Sequence, residues 1–422
     1  MLQVLSSAWA LLLGIGLLMV GNGMQSTLLG VRGQIENFGT FEMSVVMSAY
    51  FVGFLGGSRM APNLIRRVGH VRVFGALASL ISAVMILYPT LANPWVWALG
   101  RVLIGFCFSA VYVTAESWLN DAASNENRGQ ALSLYMIVQT AGIVGAQGLM
   151  LVADPSGYVL FVIPSILVSI AITPILLSIS PTPMFETTKA MSLRELMGYS
   201  PLGCVGMFLL GGVFSAQFGM SAVYGAEAGL SVGQISTFVA TIFIGAMITQ
   251  YPIGWLSDRM DRRALIGITA VIGGLGAIVG IMADNDFTLI LVAAFMMGGT
   301  SNPLYSLLLA HTNDFLEHED MAAGSGGLIF INGLGAVSGP LITGYMMGVF
   351  GPSGFYMILV VLFAALALYA GYRATQRATI AVDDMGSFVP MFPSSITPVA
   401  MEIAQEYAIE VDLEEESEIP AE

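Results

Sequence analysis

The ten residues GWLSDRMDRR, Gly254 to Arg263, hold three arginines and two aspartates in a chain with only 14 Lys and Arg in all. Guanidinium and carboxylate groups at this spacing make charge-assisted, often bidentate hydrogen bonds. Asp258, Arg259, Arg262 and Arg263 therefore form a candidate latch, a set of pairs made in one state of the molecule and broken in another. Arg66, Arg67 and Arg72 in LIRRVGHVR, Glu116 in AESWLN and Arg128 in NENRGQA are its further candidate members. A plainer reading stays open, in which the arginines grip anionic lipid headgroups at about 1 kcal/mol each. Asp258 would then need its own explanation, such as the positive end of the helix that begins at Arg128.

A second set of polar residues is scattered singly through apolar runs: Asn22, Gln25, Arg32, Arg101, Gln139, Gln217, Glu227, Asn302 and His311. Ionisable groups at membrane depth are costly and mark solute or ion paths, so these are candidates for solute binding or ion coupling. Arg101 is foremost, two turns inside its run and too deep to reach water easily. For the amides the competing reading is hydrogen bonding between helices, worth about 0.6 kcal/mol on average. Glu116 is expected to pair with Arg59, Arg66 or Arg67. Nothing points to catalysis: there is no Walker-type phosphate loop, no H-E-x-x-H and no Cys-x-x-Cys. Cys107 and Cys204 lie far apart in apolar runs and give neither a disulfide framework nor metal-ligand spacing. No catalytic residue, metal or cofactor is expected.

The elements that must position these residues follow from composition. At 422 residues, 56% hydrophobic, 10% charged and mean hydropathy +0.80, the chain has too much apolar surface for one water-soluble core. A bilayer core of about 30 Å takes about 20 apolar residues per helix, and roughly twelve such runs recur from Ser6 onward. Short polar turns separate them, with one longer break near the middle. The reading is an all-α polytopic membrane protein: a six-helix bundle over 1–179, a linker over 180–200, a second six-helix bundle over 201–375 and an acidic tail over 376–422. Basic residues cluster on one side of this arrangement, which places that side and both termini in the cytoplasm. The first apolar run lacks a basic start and is too long for a signal peptide. The formal charge of −14 is concentrated at the end, since 11 acidic and no basic residues follow Ala381. That tail reads as a disordered extension, with a short amphipathic helix possible around PVAMEIAQEYAIEV.

Internal repetition supports the two halves. YVTAESWLND (Tyr112 to Asp121) and YSLLLAHTND (Tyr305 to Asp314) match at Tyr, Asn and Asp with an offset of 193, and LIRRVGHVR aligns with LSDRMDRRA at an offset of 192. Two independent segments that agree within one residue describe a parallel six-plus-six duplication.

With these residues in hand, G-x-L-x-D-R-x-x-R-R between the eighth and ninth runs resembles the signature loop of the major facilitator superfamily, with Asp261 replacing its usual glycine. Arg101 and Gly105 in RVLIG resemble the Arg-x-x-x-Gly element of the fourth span. GAVSGPLITG in the eleventh run resembles the antiporter glycine-proline pattern, which in that family belongs to the fifth span, where this chain has GIVGAQG without proline. STLLGVRGQIENFG, AESWLN and GLSVGQISTFVATIFIGAMITQYPIGWLSDR are similar to the YcaD-like bacterial branch. The resemblance implies the major facilitator fold, twelve transmembrane helices in two pseudo-symmetric bundles. It also implies a secondary active transporter of a small solute in the inner membrane, proton-coupled and slightly favouring efflux. The implied partners are the solute, protons and anionic lipid, with no nucleic acid and a monomeric state. A different class stays open: a membrane receptor or interaction protein that keeps the fold and signals through its acidic tail.

Overall fold

A computed structural model describes residues 2–122, 128–177, 191–284 and 286–376, together with Phe388, Met391 and Thr397. The first half consists of α1 (Leu2–Ile35), α2 (Thr40–Val68), α3 (His70–Thr90), α4 (Pro94–Ala122), α5 (Arg128–Leu149), α6 (Val159–Ala171) and the short α7 (Thr173–Leu177). A short helix, α8 (Leu193–Tyr199), leads into the second half: α9 (Pro201–Ser215), a π turn (Ala216–Met220), α10 (Ser221–Glu227), α11 (Val232–Ser257), α12 (Arg262–Met282), α13 (Phe287–Asn313), α14 (His318–Phe350) and α15 (Gly354–Ala374). No strand occurs among the described residues. Eleven stretches are long and apolar enough to cross a bilayer, and α5, of 22 residues, runs between the same two faces as the twelfth. Most of the expected linker and nearly all of the tail, including its suggested amphipathic helix, lie outside the described residues.

Large apolar side chains fall into two populations. Ile15, Leu18, Phe108, Leu307 and Phe363 are buried between helices, while Leu99, Leu103, Val271 and Leu368 are exposed around the outside. In water the second population would be a liability, and in lipid it is the solvated surface. Local polar residues set the helix ends. Ser231 Oγ caps α11 by accepting from the Gln234 N–H and the Ser231 N–H donates in return to Gln234 Oε1, while Asp261 and Asp286 cap α12 and α13, satisfying backbone N–H groups that the helix leaves open.

The duplication appears in the packing at the offsets seen in the sequence. Where α2 crosses α4, a Cβ on Gly53 would lie 1.9 Å from the carbonyl oxygen of Val102, and one on Gly105 would lie 1.9 Å from that of Tyr50. Where α11 crosses α13, Gly245 meets the Phe295 carbonyl at 2.5 Å and Gly298 meets that of Ile242 at 2.0 Å on the same measure. Only glycine permits backbones this close.

Besides the contact of α1 with α10, where Gly30 packs on Ala222, two seams join the halves. We call the side that carries Arg66, Arg67, Arg72 and Arg259 the basic face. The α2–α14 seam runs nearly the full height: Gly344 packs on Ser44, Ser48 Oγ donates to the Val337 carbonyl at 2.5 Å, Gly333 faces Leu55, and the Arg59 guanidinium sits 4.1 Å from the centre of the Phe330 ring. The α5–α11 seam behaves differently. It is closed at the opposite face, where Leu151 packs over Gly233. Toward the basic face it parts into a cavity of about 520 Å³ lined by Met136, Ile137 and Thr140 from α5 and by Met247, Gln250, Tyr251 and Trp255 from α11.

Candidate solute pathway

At the centre of the first half, α1, α2 and α4 bring one polar cluster together. Asn22 Nδ2 donates to the Tyr112 hydroxyl at 2.9 Å and to the Tyr50 hydroxyl at 3.4 Å, and Gln25 Nε2 donates to Asn22 Oδ1 at 3.4 Å. Arg101 is fully buried, with its guanidinium 4.6 Å from the centre of the Tyr50 ring. Its terminal nitrogens reach Ser26 Oγ at 3.4 Å and Met47 S at 3.7 Å, and its Nε has no hydrogen-bond partner. A buried cation with no carboxylate among these neighbours is held by a ring quadrupole and weak acceptors. An anionic or strongly accepting group brought to it would gain more than it would in water.

In the second half, Gln217 sits in the π turn that interrupts the seventh span, accepts from Ser301 Oγ at 2.9 Å, and leaves its Nε2 without a partner. Asn302 is buried beside it, lining the same small void. The π turn also places Phe218 against both halves. Its ring is 5.9 Å from Tyr50 and 6.4 Å from Phe51 on α2, and 5.7 Å from Phe214 on α9, centroid to centroid. Tyr305 and Asn332 join this aromatic floor around a central void of about 30 Å³. π turns often mark functional sites because they rotate a side chain out of the α register.

Four expected members lie elsewhere. Arg32 is committed near the opposite face, paired with Glu36 at 2.6 Å and donating to the carbonyls of Pro155, Ser156 and Gly157. Its fork fits three loop oxygens, so it ties the α5–α6 connection rather than joining the central cluster. Glu227 Oε1 accepts from Thr40 Oγ1 at 2.5 Å, a bond that spans the two halves at the opposite face. His311 is buried near the basic face, edge-on to Phe315 at 5.1 Å, around a void that Arg263 and Arg373 also line. Gln139 is buried on α5 next to Tyr135.

The charged stretch that opens α12 is divided rather than uniform. Arg262 and Arg263 are buried, which corrects the reading that both hold the loop at lipid headgroups. Arg262 pairs with Asp314 at 2.5 Å and donates to Ser257 Oγ at 3.1 Å, while Arg263 pairs with the capping Asp261 at 3.0 Å. Only Arg259 stays exposed, laid on the Trp255 ring at 4.3 Å. Asp258 lies 3.6 Å from Arg262 and accepts from the Phe388 backbone N–H at 3.2 Å. Burial pushes its carboxyl above the ordinary aspartate value, and Arg262 opposes that shift. Glu116 accepts from the Tyr135 hydroxyl at 3.0 Å and from Thr397 Oγ1. Of the arginines expected to pair with it, Arg59 lies on Phe330 and Arg66 donates to Asn63 Oδ1. Arg66, Arg67 and Arg72 are exposed on the basic face, and the Arg128 side chain lies outside the described residues.

Sequence reasoning missed Tyr50, Tyr112, Ser301, Tyr305, Ser306 and Asp314. Tyr112, Tyr305 and Asp314 sit inside the repeated segment that revealed the duplication, which was the available signal. Gln250, whose Nε2 donates to Ser306 Oγ at 3.0 Å, carried no such mark.

Comparison with known proteins agrees with this architecture. A family model for the Major Facilitator Superfamily matches residues 11–227 and 202–385. An MFS-type transporter of Enterobacter sp. (strain 638) is 26% identical over 341 residues, covering 80% of this chain and 88% of the relative. The MFS-type transporter YcaD of Escherichia coli O7:K1 is 26% identical over 339 residues with the same coverage. Among solved structures, a mutant of the nucleoside transporter NupG superposes with a TM-score of 0.73 at 13% identity, covering 88% of this chain and 99% of that one. A bacterial homologue of the lysosomal transporter Spinster, inward-facing and occupied, gives 0.70 at 16% identity, covering 90% and 99%.

Proposed function

Because the chain belongs to the Major Facilitator Superfamily and is a multi-pass membrane transporter, we propose that it moves a small solute across the bacterial inner membrane by alternating access, driven by the proton gradient. The observation that carries this reading is the unequal state of the two seams. At the opposite face the halves touch along both, while at the basic face α5 and α11 stand apart around about 520 Å³. Rocking the halves about the aromatic floor at Phe218 would exchange which face is open. The basic residues favour the cytoplasmic side, so the state described would face inward, with both termini inside.

Arg101, Asn22 and Tyr50 from the first half and Gln217 and Asn302 from the second form the solute site in this reading. Arg101 selects for an anionic or strongly accepting group, and the rings of Tyr50 and Phe218 favour an apolar or planar remainder. Glu116, a buried carboxylate within reach of the mouth, is the coupling group. Export is the favoured direction, because the mouth beside Tyr251 and Trp255 gives access from the inner leaflet as well as from the cytoplasm. Thermal stabilisation of purified protein across a metabolite and drug panel identifies binders, since a ligand specific for the folded state raises stability by mass action. A hit should then move in proteoliposomes under an imposed pH gradient, with Glu116→Gln uncoupling flux from that gradient. Hits whose flux ignores the gradient in the unaltered protein would rule out proton coupling. A panel in which Arg101→Ala binds every hit as well as the unaltered chain would rule out the site.

A further inference from the structure

The acidic tail contains a stretch that does not match the rest of it. Residues 385–401, MGSFVPMFPSSITPVAM, carry no charged side chain, between Asp383 and Asp384 on one side and Glu402 on the other. Phe388, Met391 and Thr397, the three described residues of the tail, all fall in this stretch, and all three lie against the parted basic-face ends of the two halves. Phe388 lines the cavity between α5 and α11, its ring lies over Gly254, and its N–H donates to Asp258. Met391 is 2% exposed, its N–H donates to Ser306 Oγ at 2.8 Å, and its carbonyl accepts from the same hydroxyl at 3.5 Å. Thr397 is fully buried and its hydroxyl donates to Glu116. The partners come from both halves, Glu116 from α4 and Asp258 and Ser306 from α11 and α13.

The composition suits that location. A peptide entering an apolar mouth must satisfy each backbone N–H or lose about 1–3 kcal/mol for it. Pro390, Pro393 and Pro398 have no N–H to satisfy, and the N–H groups of Phe388 and Met391 meet acceptors. A charged residue there would carry a much larger penalty, and the stretch has none until it ends. A disordered solubilising extension has no need of a 17-residue uncharged interval.

We propose that the mouth between the halves is a binding site for the chain's own tail, held through Phe388, Met391 and Thr397, and that these three residues, seated there, exclude solute from the basic face. Glu116, the coupling carboxylate proposed above, is then occupied by Thr397 whenever the segment is bound, so solute and proton must both compete with it. Tethering supplies the segment at an effective concentration of the order of millimolar, so weak intrinsic affinity suffices to keep it seated.

The test needs no solute, so its result is independent of whether the protein transports. In a background with Cys107→Ala and Cys204→Ala, detergent-purified Ser306→Cys protein is labelled with a maleimide. A chain ending at Gly386 should react about tenfold faster than the full chain, because the rate follows the fraction of molecules with the site free. A synthetic peptide of residues 385–401, added at about millimolar concentration, should slow the shortened chain again. In the full chain, Ser306→Cys combined with Met391→Cys should form a disulfide within one molecule under mild oxidation. Equal labelling of full and shortened chains overturns the proposal. So does a disulfide found only between two molecules, which would make the occupant a second copy, and so does faster labelling that the peptide fails to reverse.

Discussion

Arg262 and Asp314, 52 residues apart, meet at 2.5 Å with side chains 1% and 3% exposed, and so pin the start of α12 to the end of α13. The most conspicuous arginine of the charged loop is therefore part of the second half's own scaffold. Asp258, at 3.6 Å and 44% exposed, is its lesser partner.

Asp314→Asn should leave the buried Arg262 with only the more distant and half-exposed Asp258 as a carboxylate partner, and lower stability by up to about 3–5 kcal/mol. Exchanging both residues for apolar ones of similar volume should cost far less. Thermal unfolding in detergent measures both, and near-equal loss in the single and double variants would contradict the pairing.

Gly105→Ala and Gly298→Ala should destabilise to a similar degree, about 1–3 kcal/mol each from overpacking, because each glycine faces a carbonyl of the crossing helix in its own half. Gly348→Ala, with nothing within 4 Å of the added methyl, should be neutral or stabilising by up to about 1 kcal/mol from helix propensity. Equal effects at all three positions would show that the duplicated crossings are looser than described.

Arg101→Lys keeps the charge and loses the planar face that lies on Tyr50. It should insert and fold normally while flux of any solute identified by the panel falls about tenfold or more. Flux at the unaltered rate would assign Arg101 a packing role alone.

Asp258 gives a pH signature. Its carboxyl is raised by burial above the ordinary 3.8, so the protonated form favours the fold. That contribution is complete below pH 3.8 and is lost as pH rises through the raised value. At neutral pH the ionised group is a net cost, and it also caps the negative end of α11. Asp258→Asn should therefore melt no lower than the unaltered protein at pH 7, with the two converging on acidification. A clearly lower melting temperature at pH 7 would show that Asp258 makes a stronger pair than Arg262 at 3.6 Å.

The membrane class, the spans and the duplication were legible because lipid imposes long uniform runs and because the repeat offsets survive in Tyr112, Tyr305 and Asp314. Asn22, Gln25, Gln217 and Asn302 stood out as amides in apolar surroundings. Tyr50 did not, since a tyrosine in a membrane helix looks like any other aromatic until its hydroxyl has a partner. The fates of Arg262 and Arg263 were also hidden: position in a loop gives topology, while burial depends on where α13 ends. The neutral interval from Met385 to Met401 went unnoticed because charge was summed over the whole length of the tail.

The π turn at Ala216–Met220 has no counterpart in α1, which continues unbroken from Leu2 to Ile35. One half thus meets the other with a stiff rod and receives in return a jointed one, with Phe218 at the joint. Motion between them would be unequal, the first half turning as a block while the seventh span flexes beneath it. Rewinding the same five residues with the 3.6-residue turn of an α-helix would swing everything beyond it by roughly a quarter turn. That rotation would carry Glu227 away from Thr40, so the clasp on the far side of the membrane depends on an irregularity at its centre.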